Sequence, residues 1–150
     1  MQVAIDACRD GIAHGQSPFG ACIVKDDRAI VATCNHVWQH TDITAHAEVE
    51  AIRLACSHLH TVDLSGCTIY STCEPCPMCF SAIHWARISR IVYGASIGDA
   101  AGAGFNELPV SNQVIKQLAK LDIELIPHIL QSECVSLFED WQKSDQARSY

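Results

Sequence analysis

The sequence has 150 residues, of which 49% are apolar and 18% charged, and its formal net charge is −7. This size and composition predict one globular domain over residues 1–150 and exclude a disordered chain. The acidic balance disfavours nucleic acid as a partner, which usually requires a basic surface. No apolar run approaches the roughly 18 residues of a membrane helix, and the first residues, which have no basic segment followed by an apolar one, are not expected to form a signal peptide. We therefore expect a cytoplasmic protein without a membrane partner.

Strands and helices alternate along the chain after an opening hairpin. Residues 1–14 carry a helical apolar stripe that Gly15 ends, and FGACIVK and AIVATCN flank a turn at Asp26 and Asp27. The other predicted elements are a helix over 44–59, a strand over 67–72, a helix over 77–86, a strand over 90–95, a helix over 112–120, a strand over 121–127 and a helix over 131–147. This order predicts an α/β fold, a mixed sheet with helices on both faces.

The segment CEPCPMC places cysteines at positions 73, 76 and 79. A ferredoxin-type iron–sulfur run would need a fourth cysteine after three more residues, where the chain has Ile83. Zinc fits better, because a helix opened by Pro77 brings Cys76 and Cys79 to one side. Pro75 disfavours helical geometry just before it, so we expect Cys73 to belong to the end of the preceding strand.

The third zinc ligand is predicted to be His46. His46 and Glu48 can point together only in the first turn of a helix, with the ion beyond its end and Thr44 as the predicted cap. Two cysteines and one histidine leave an open position, as in catalytic zinc sites. Zinc lowers the pKa of a bound water from 15.7 to about 7, and Glu48 would pass that water's proton to the substrate.

A structural zinc is the alternative interpretation of the same residues. Cys73, Cys76, Cys79 and His46 would close a Cys3His site. That arrangement leaves Glu48 without a role. It also gives no reason for the two prolines that separate Cys73 from Cys76 and open the following helix.

HAEVEAIR (46–53) together with CEPCPMC matches the H-x-E and P-C-x-x-C signature of zinc deaminases. The chain resembles the cytidine-deaminase-like superfamily, and within it the bacterial guanine deaminases. The likeness to these enzymes lies in SPFGACIV, CEPCPMC, AIHWARI, DAAGAGF and the tyrosine at position 150, and it covers essentially the whole length. The resemblance implies a three-layer α/β/α sandwich with a five-stranded mixed sheet.

The resemblance also implies roles for individual residues. One zinc ion per subunit would be bound by His46, Cys76 and Cys79, with Glu48 as proton shuttle. Glu107 would be a second catalytic residue, an acid that helps to bind or protonate the base. The substrate-binding residues would be Asn35 on the base edge, Phe19 and Trp85 as pocket walls, the backbone N–H of Ala47, and Tyr150. In the family a C-terminal segment exchanges between the subunits of a homodimer, which would bring Tyr150 to the partner's site.

The resulting hypothesis is hydrolytic deamination of a free nucleobase by zinc hydroxide, most specifically guanine to xanthine plus ammonia. A small purine base is then the partner, although a triazine with the same amino–imine edge would also fit. Three alternatives stay open: a tRNA adenosine deaminase, which needs a basic groove; a nucleoside or nucleotide deaminase, which needs a phosphate pocket; and a zinc-stabilised binding module without activity.

Overall fold

The computed structural model describes residues 1–150 as seven helices and five strands. The helices are α1 (Gln2–Ala13), α2 (Val37–His40), α3 (Ala47–Leu59), α4 (Pro77–Trp85), α5 (Ile97–Gly102), α6 (Asn112–Ala119) and α7 (Gln131–Gln142). The strands are β1 (Gly20–Lys25), β2 (Arg28–Cys34), β3 (Thr68–Cys73), β4 (Arg90–Ala95) and β5 (Glu124–Ile126). None of the helices combines the length and the apolar character that crossing a membrane requires.

The five strands form one sheet in the order β2-β1-β3-β4-β5. β1 is antiparallel to both β2 and β3, whereas β3, β4 and β5 are parallel. Helices α1 and α7 pack on one face, and α3 and α4 pack together on the other. The predicted three-layer sandwich with a mixed sheet is therefore confirmed. A cluster of 26 buried apolar residues fills the space between the layers.

The predicted opening hairpin is confirmed, and its turn explains why two aspartates stand there. Asp26 and Asp27 both have positive φ, at 49° and 57°. A two-residue turn with two left-handed residues matches the right-handed twist of the flanking strands, and Asp tolerates this conformation better than most residues.

Several predicted boundaries differ from the structure. Thr44 does not cap α3: its amide and hydroxyl both donate to the Asp42 carboxylate, and His46 occupies the N-cap. The strand predicted over 121–127 is limited to β5, and the helix predicted over 131–147 ends at Gln142. Two short helices, α2 and α5, were not predicted, because neither is long enough to show a helical apolar period.

The carboxyl ends of four strands, all except that of β1, meet at one edge of the sheet. Because β1 is antiparallel to β2 and to β3, β2 runs in the same direction as β3 and β4. At this edge β2 leads to α2 and α3, and β3 leads directly to α4. Clefts outside the carboxyl ends of strands are the usual sites of ligand binding in open α/β sheets.

Candidate active site

Three potential metal ligands converge at the starts of α3 and α4. His46 is the N-cap of α3 and Cys76 is the N-cap of α4, each with an extended backbone. Cys79 lies in the first turn of α4, which Pro77 opens as predicted. Nδ1 of His46 lies 3.7 Å from Sγ of Cys76 and 3.6 Å from Sγ of Cys79. Neither capping residue makes a side-chain cap hydrogen bond, so both side chains are directed to this cluster.

These distances fit a zinc ion. With Zn–S of about 2.3 Å and Zn–N of about 2.0–2.1 Å, a sulfur and a nitrogen on a tetrahedral zinc are about 3.6 Å apart. All three ligand atoms lie within 4.8 Å of one another. Two helix N-termini face the cluster and stabilise negative charge on the sulfurs. His46, Cys76 and Cys79 would therefore hold zinc and leave one position for water or substrate.

Hydrogen bonds from neighbouring side chains favour the thiolate form of Cys76. The thiol of Cys79 and the ring of His46 hydrogen-bond to its sulfur and lower the pKa of Cys76 to about 4. The same contact with Cys76, together with burial, raises the pKa of Cys79 well above its ordinary value. These contacts favour the thiolate form of Cys76, which is the form in which cysteine binds a metal.

Cys73 stands apart from the cluster. It ends β3, as predicted, and its thiol donates to the carbonyl of Ser96 at 3.3 Å. It is not within ligand distance of the other three residues, and burial raises its pKa well above the ordinary value of a thiol. This geometry disfavours the closed Cys3His site.

Glu48 lies in the first turn of α3, beside the donor cluster. Its side chain is buried, and its Oε1 accepts a hydrogen bond of 2.8 Å from the hydroxyl of Ser71. Burial raises the pKa of Glu48, because a carboxylate loses hydration inside the protein. This shift favours the protonated form of the carboxyl, so Glu48 is better suited to hold and pass on a proton than an exposed glutamate.

Two connected cavities lead to these residues. A narrow recess of about 10 Å³ is lined by Phe19, His46, Glu48, Cys73, Glu74, Cys76, Glu107 and Tyr150. An outer cavity of about 300 Å³ is lined by Ile43, His46, Cys76, Pro77, Met78, Phe105, Asn106, Glu107, Leu108 and Tyr150. Neither lining contains lysine or arginine. Burial raises the pKa of Glu107, which is the only carboxyl group shared by both cavities.

Of the predicted substrate-binding residues, Phe19 and Tyr150 line the recess, whereas Asn35 and Ala47 are fully buried and belong to neither cavity lining. The Phe19 ring packs edge-on against Phe105 at the recess. Ala47 is the first residue of α3, so its N–H has no partner within the helix. The Asn35 side chain is fully buried, and its Oδ1 accepts a hydrogen bond from the amide of Val37, which turns its NH2 group toward Tyr150.

Tyr150 lies over the site of its own chain. Its hydroxyl accepts a hydrogen bond of 2.8 Å from Nδ2 of Asn35, and its ring centre is 5.6 Å from that of His46. The preceding segment is held by Trp38, whose Nε1 donates to the carbonyl of Arg148 and whose ring lies 4.0 Å from the Arg148 guanidinium. The last residues of the sequence therefore form a cover anchored on α2.

Trp85 does not join the other predicted residues. It ends α4 with 81% of its surface exposed. It lines a separate surface depression with Val62, Asp63, His84 and Arg87. The apolar pattern of α4 placed Trp85 on the helix but gave no information on which direction its ring faces.

Two functional contacts were not anticipated from the sequence. The first is the hydrogen bond from Ser71 to Glu48. The sequence shows only that a hydroxyl lies in the buried strand TIYST, which does not indicate that Glu48 is its partner. Trp38 gave no signal, since its contact with Arg148 joins residues 110 positions apart.

A histidine, two cysteines and a buried glutamate at the carboxyl edge of a mixed sheet define the site of a zinc-dependent hydrolase. A family model described as "Cytidine and deoxycytidylate deaminase zinc-binding region" matches residues 1–95. The guanine deaminase of Bacillus subtilis is 40% identical over 151 aligned positions, which cover 100% of this chain and 96% of the relative. Its solved structure is matched with a TM-score of 0.69 over 99% of this chain and 95% of that chain.

Two further relatives bear on the reaction. The structure of a guanine deaminase from Nitrosomonas europaea is matched with a TM-score of 0.87 at 28% identity, over 95% of this chain and 82% of that chain. A tRNA-specific adenosine deaminase of Buchnera aphidicola is 31% identical over 96% of this chain and 92% of its own. The chain therefore belongs to the cytidine and deoxycytidylate deaminase family, as its motifs predicted. It is a hydrolytic deaminase with a zinc-binding centre.

Proposed function

We propose that the chain converts free guanine to xanthine and ammonia. The observation that carries this proposal is the pocket beside Glu48, which is small, acidic and covered by Tyr150. A free base needs no phosphate contact, whereas a tRNA or a nucleotide does. The absence of basic side chains from both cavities therefore favours a base. The 40% identity to a guanine deaminase, against 31% to the tRNA-specific adenosine deaminase of similar coverage, favours guanine.

The residues of the site divide the chemistry between them. Zinc held by the donor cluster would supply a water nucleophile at neutral pH. Glu48 accepts a proton from the attacking water and delivers it to the ring nitrogen beside the amino-bearing carbon. A second transfer, from Glu48 or Glu107, makes the amino group leave as ammonia. Each such role contributes about 10²–10⁴ to the rate.

Binding residues hold the base against this machinery. The NH2 group of Asn35 has a second hydrogen to donate to an acceptor on the base edge, and the Ala47 N–H is a further free donor. Phe19 supplies an apolar wall. The Glu107 carboxylate is an acceptor for ring or amino N–H groups, of which guanine has several. A flat neutral base requires this combination of apolar walls and few polar contacts.

A substrate panel tests the proposed function. Zinc-loaded protein is incubated with guanine, adenine, cytosine, an aminotriazine, cytidine and a tRNA anticodon stem, and released ammonia is measured. We expect guanine to give the highest kcat/KM and the tRNA stem to give no ammonia. Turnover of the stem without turnover of guanine would establish the tRNA alternative. Absence of turnover with every compound would favour a binding module.

We also propose that the protein is a homodimer that exchanges its C-terminal segment. In the chain by itself, residues 143–150 reach their own site through Trp38 and Asn35. The same contacts can form between two subunits.

Mixed dimers distinguish exchange from a cover within one chain. One variant carries Glu48→Ala with residues 143–150 intact, and the other lacks residues 145–150 but keeps Glu48. We expect each alone to be inactive. Co-expression restores activity in mixed dimers if the intact segment covers the neighbouring site, giving up to about one quarter of the wild-type rate per subunit for random pairing. No recovery, with dimers verified by light scattering, would mean that Tyr150 acts within its own chain.

We propose a cytoplasmic location and a single domain over residues 1–150. All nine cysteines are free, which is typical of reducing compartments. The core cluster contains residues from the first helix to the last, which supports one cooperative unit.

A further inference from the structure

A buried hydroxyl touches the proposed proton shuttle. Ser71 lies on β3, in the centre of the sheet, and only 1% of its surface is exposed. Its hydroxyl donates to Oε1 of Glu48 at 2.8 Å. Both groups are inside the protein, where the low local dielectric makes a hydrogen bond stronger than it is in water.

The next residue of β3, Thr72, lies on the opposite face of the sheet from Ser71. Side chains alternate between the two faces of a strand, so Ser71 faces α3 whereas its neighbour Thr72 faces α1. The Thr72 hydroxyl accepts a hydrogen bond from the amide of Gly20 at 3.0 Å. Thr72 is also 1% exposed. The two adjacent hydroxyls are thus equally buried, but only one contacts the site.

We propose that Ser71 is a positioning residue that fixes the Glu48 carboxylate for proton transfer. This inference rests on the proposed role of Glu48. A glutamate side chain rotates about several bonds, and a proton shuttle must stay within hydrogen-bond reach of both water and base. Anchoring Oε1 on the rigid central strand leaves Oε2 as the oxygen that takes and returns the proton. Such supporting contacts hold catalytic groups to within about 0.5 Å of their working positions.

Kinetics of Ser71→Ala test the proposal, with whichever base the wild type deaminates fastest. We expect kcat to fall about 10- to 100-fold, the range for loss of an orienting hydrogen bond. KM should change less than about threefold, since Ser71 does not touch the base. Ser71→Thr keeps the hydroxyl on a strand that tolerates threonine, and it should recover most of kcat.

Thr72→Val is the matched control, because it removes an equally buried hydroxyl from the opposite face of the same strand. We expect it to lower the thermal midpoint at least as much as Ser71→Ala while leaving kcat within about threefold of wild type. Equal losses of kcat in the two variants would assign the effect to the strand and overturn the proposal. So would a wild-type kcat in Ser71→Ala.

A double mutant and a structure complete the test. In a Glu48→Gln background, Ser71→Ala should lower the residual rate no further, because the two residues act as one unit. The same fold-loss in both backgrounds would contradict the proposal. Crystal structures of zinc-loaded wild type and Ser71→Ala should show one Glu48 orientation in the first and several in the second. A single, unchanged Glu48 orientation in Ser71→Ala would overturn the inference. This structural result does not depend on turnover, so it separates failure of the inference from failure of the proposed function, in which no substrate is deaminated.

Discussion

Replacing Glu48 with glutamine should lower kcat by about 10⁴-fold while zinc stays bound. Glu48 is assigned the first proton transfer and is one of two candidates for the second, and each role is worth about 10²–10⁴. The glutamine side chain has the same size and still accepts the Ser71 hydrogen bond through its amide oxygen, but it cannot take a proton. Ammonia release, zinc per subunit and the thermal midpoint are measured on the same preparation. Zinc content should equal that of wild type, since Glu48 is not among the three ligands.

Glu50→Gln is the matched control for this loss. Glu50 lies on the same helix and is also buried, but it pairs with Arg53 and His36 away from the cavities. We expect it to lower stability through the broken ion pair and to leave kcat within about fivefold of wild type. If Glu48→Gln retained more than a tenth of the wild-type rate, Glu107 would be the better candidate for the shuttle.

The metal cluster was predictable from the sequence because local rules determine it. Pro75 and Pro77 separate the strand end from the helix start, so the partition of the three cysteines follows from backbone geometry. The pairing of His46 with them needed one more assumption, that two helix starts face each other. The sheet topology satisfies it, since the strands before both helices end at the same edge.

The walls and the cover of the pocket were less accessible, because they depend on contacts between distant segments. The direction of the Trp85 ring follows from the rotation of α4 on the sheet, which an apolar helix does not specify. The hydrogen bond from Trp38 to the Arg148 carbonyl depends on the path that the chain takes after α7. The place of Tyr150 was inferred from family resemblance, and no local pattern in the last residues would have indicated it.

Replacing Cys76 with alanine should remove zinc, whereas replacing Cys73 with alanine should not. Cys76 is one of three ligands, and the remaining pair would bind the ion at least about 10²-fold more weakly. Cys73 hydrogen-bonds to Ser96 instead, so its replacement should lower stability by about 1–2 kcal/mol through the lost hydrogen bond and lost packing, without affecting the metal. Zinc per subunit after gel filtration is the direct measurement.

The thermal midpoint with and without a chelator provides a second readout of the same assignment. Zinc bound to the folded state raises the midpoint by mass action. A chelator should therefore lower the midpoint of wild type and Cys73→Ala, and leave that of Cys76→Ala unchanged. Loss of zinc from Cys73→Ala would instead support the closed Cys3His arrangement, in which no position is left for water. The two alanine variants thus distinguish a catalytic from a structural zinc centre. Only a site with three protein ligands leaves a fourth coordination position for the water that Glu48 is proposed to deprotonate.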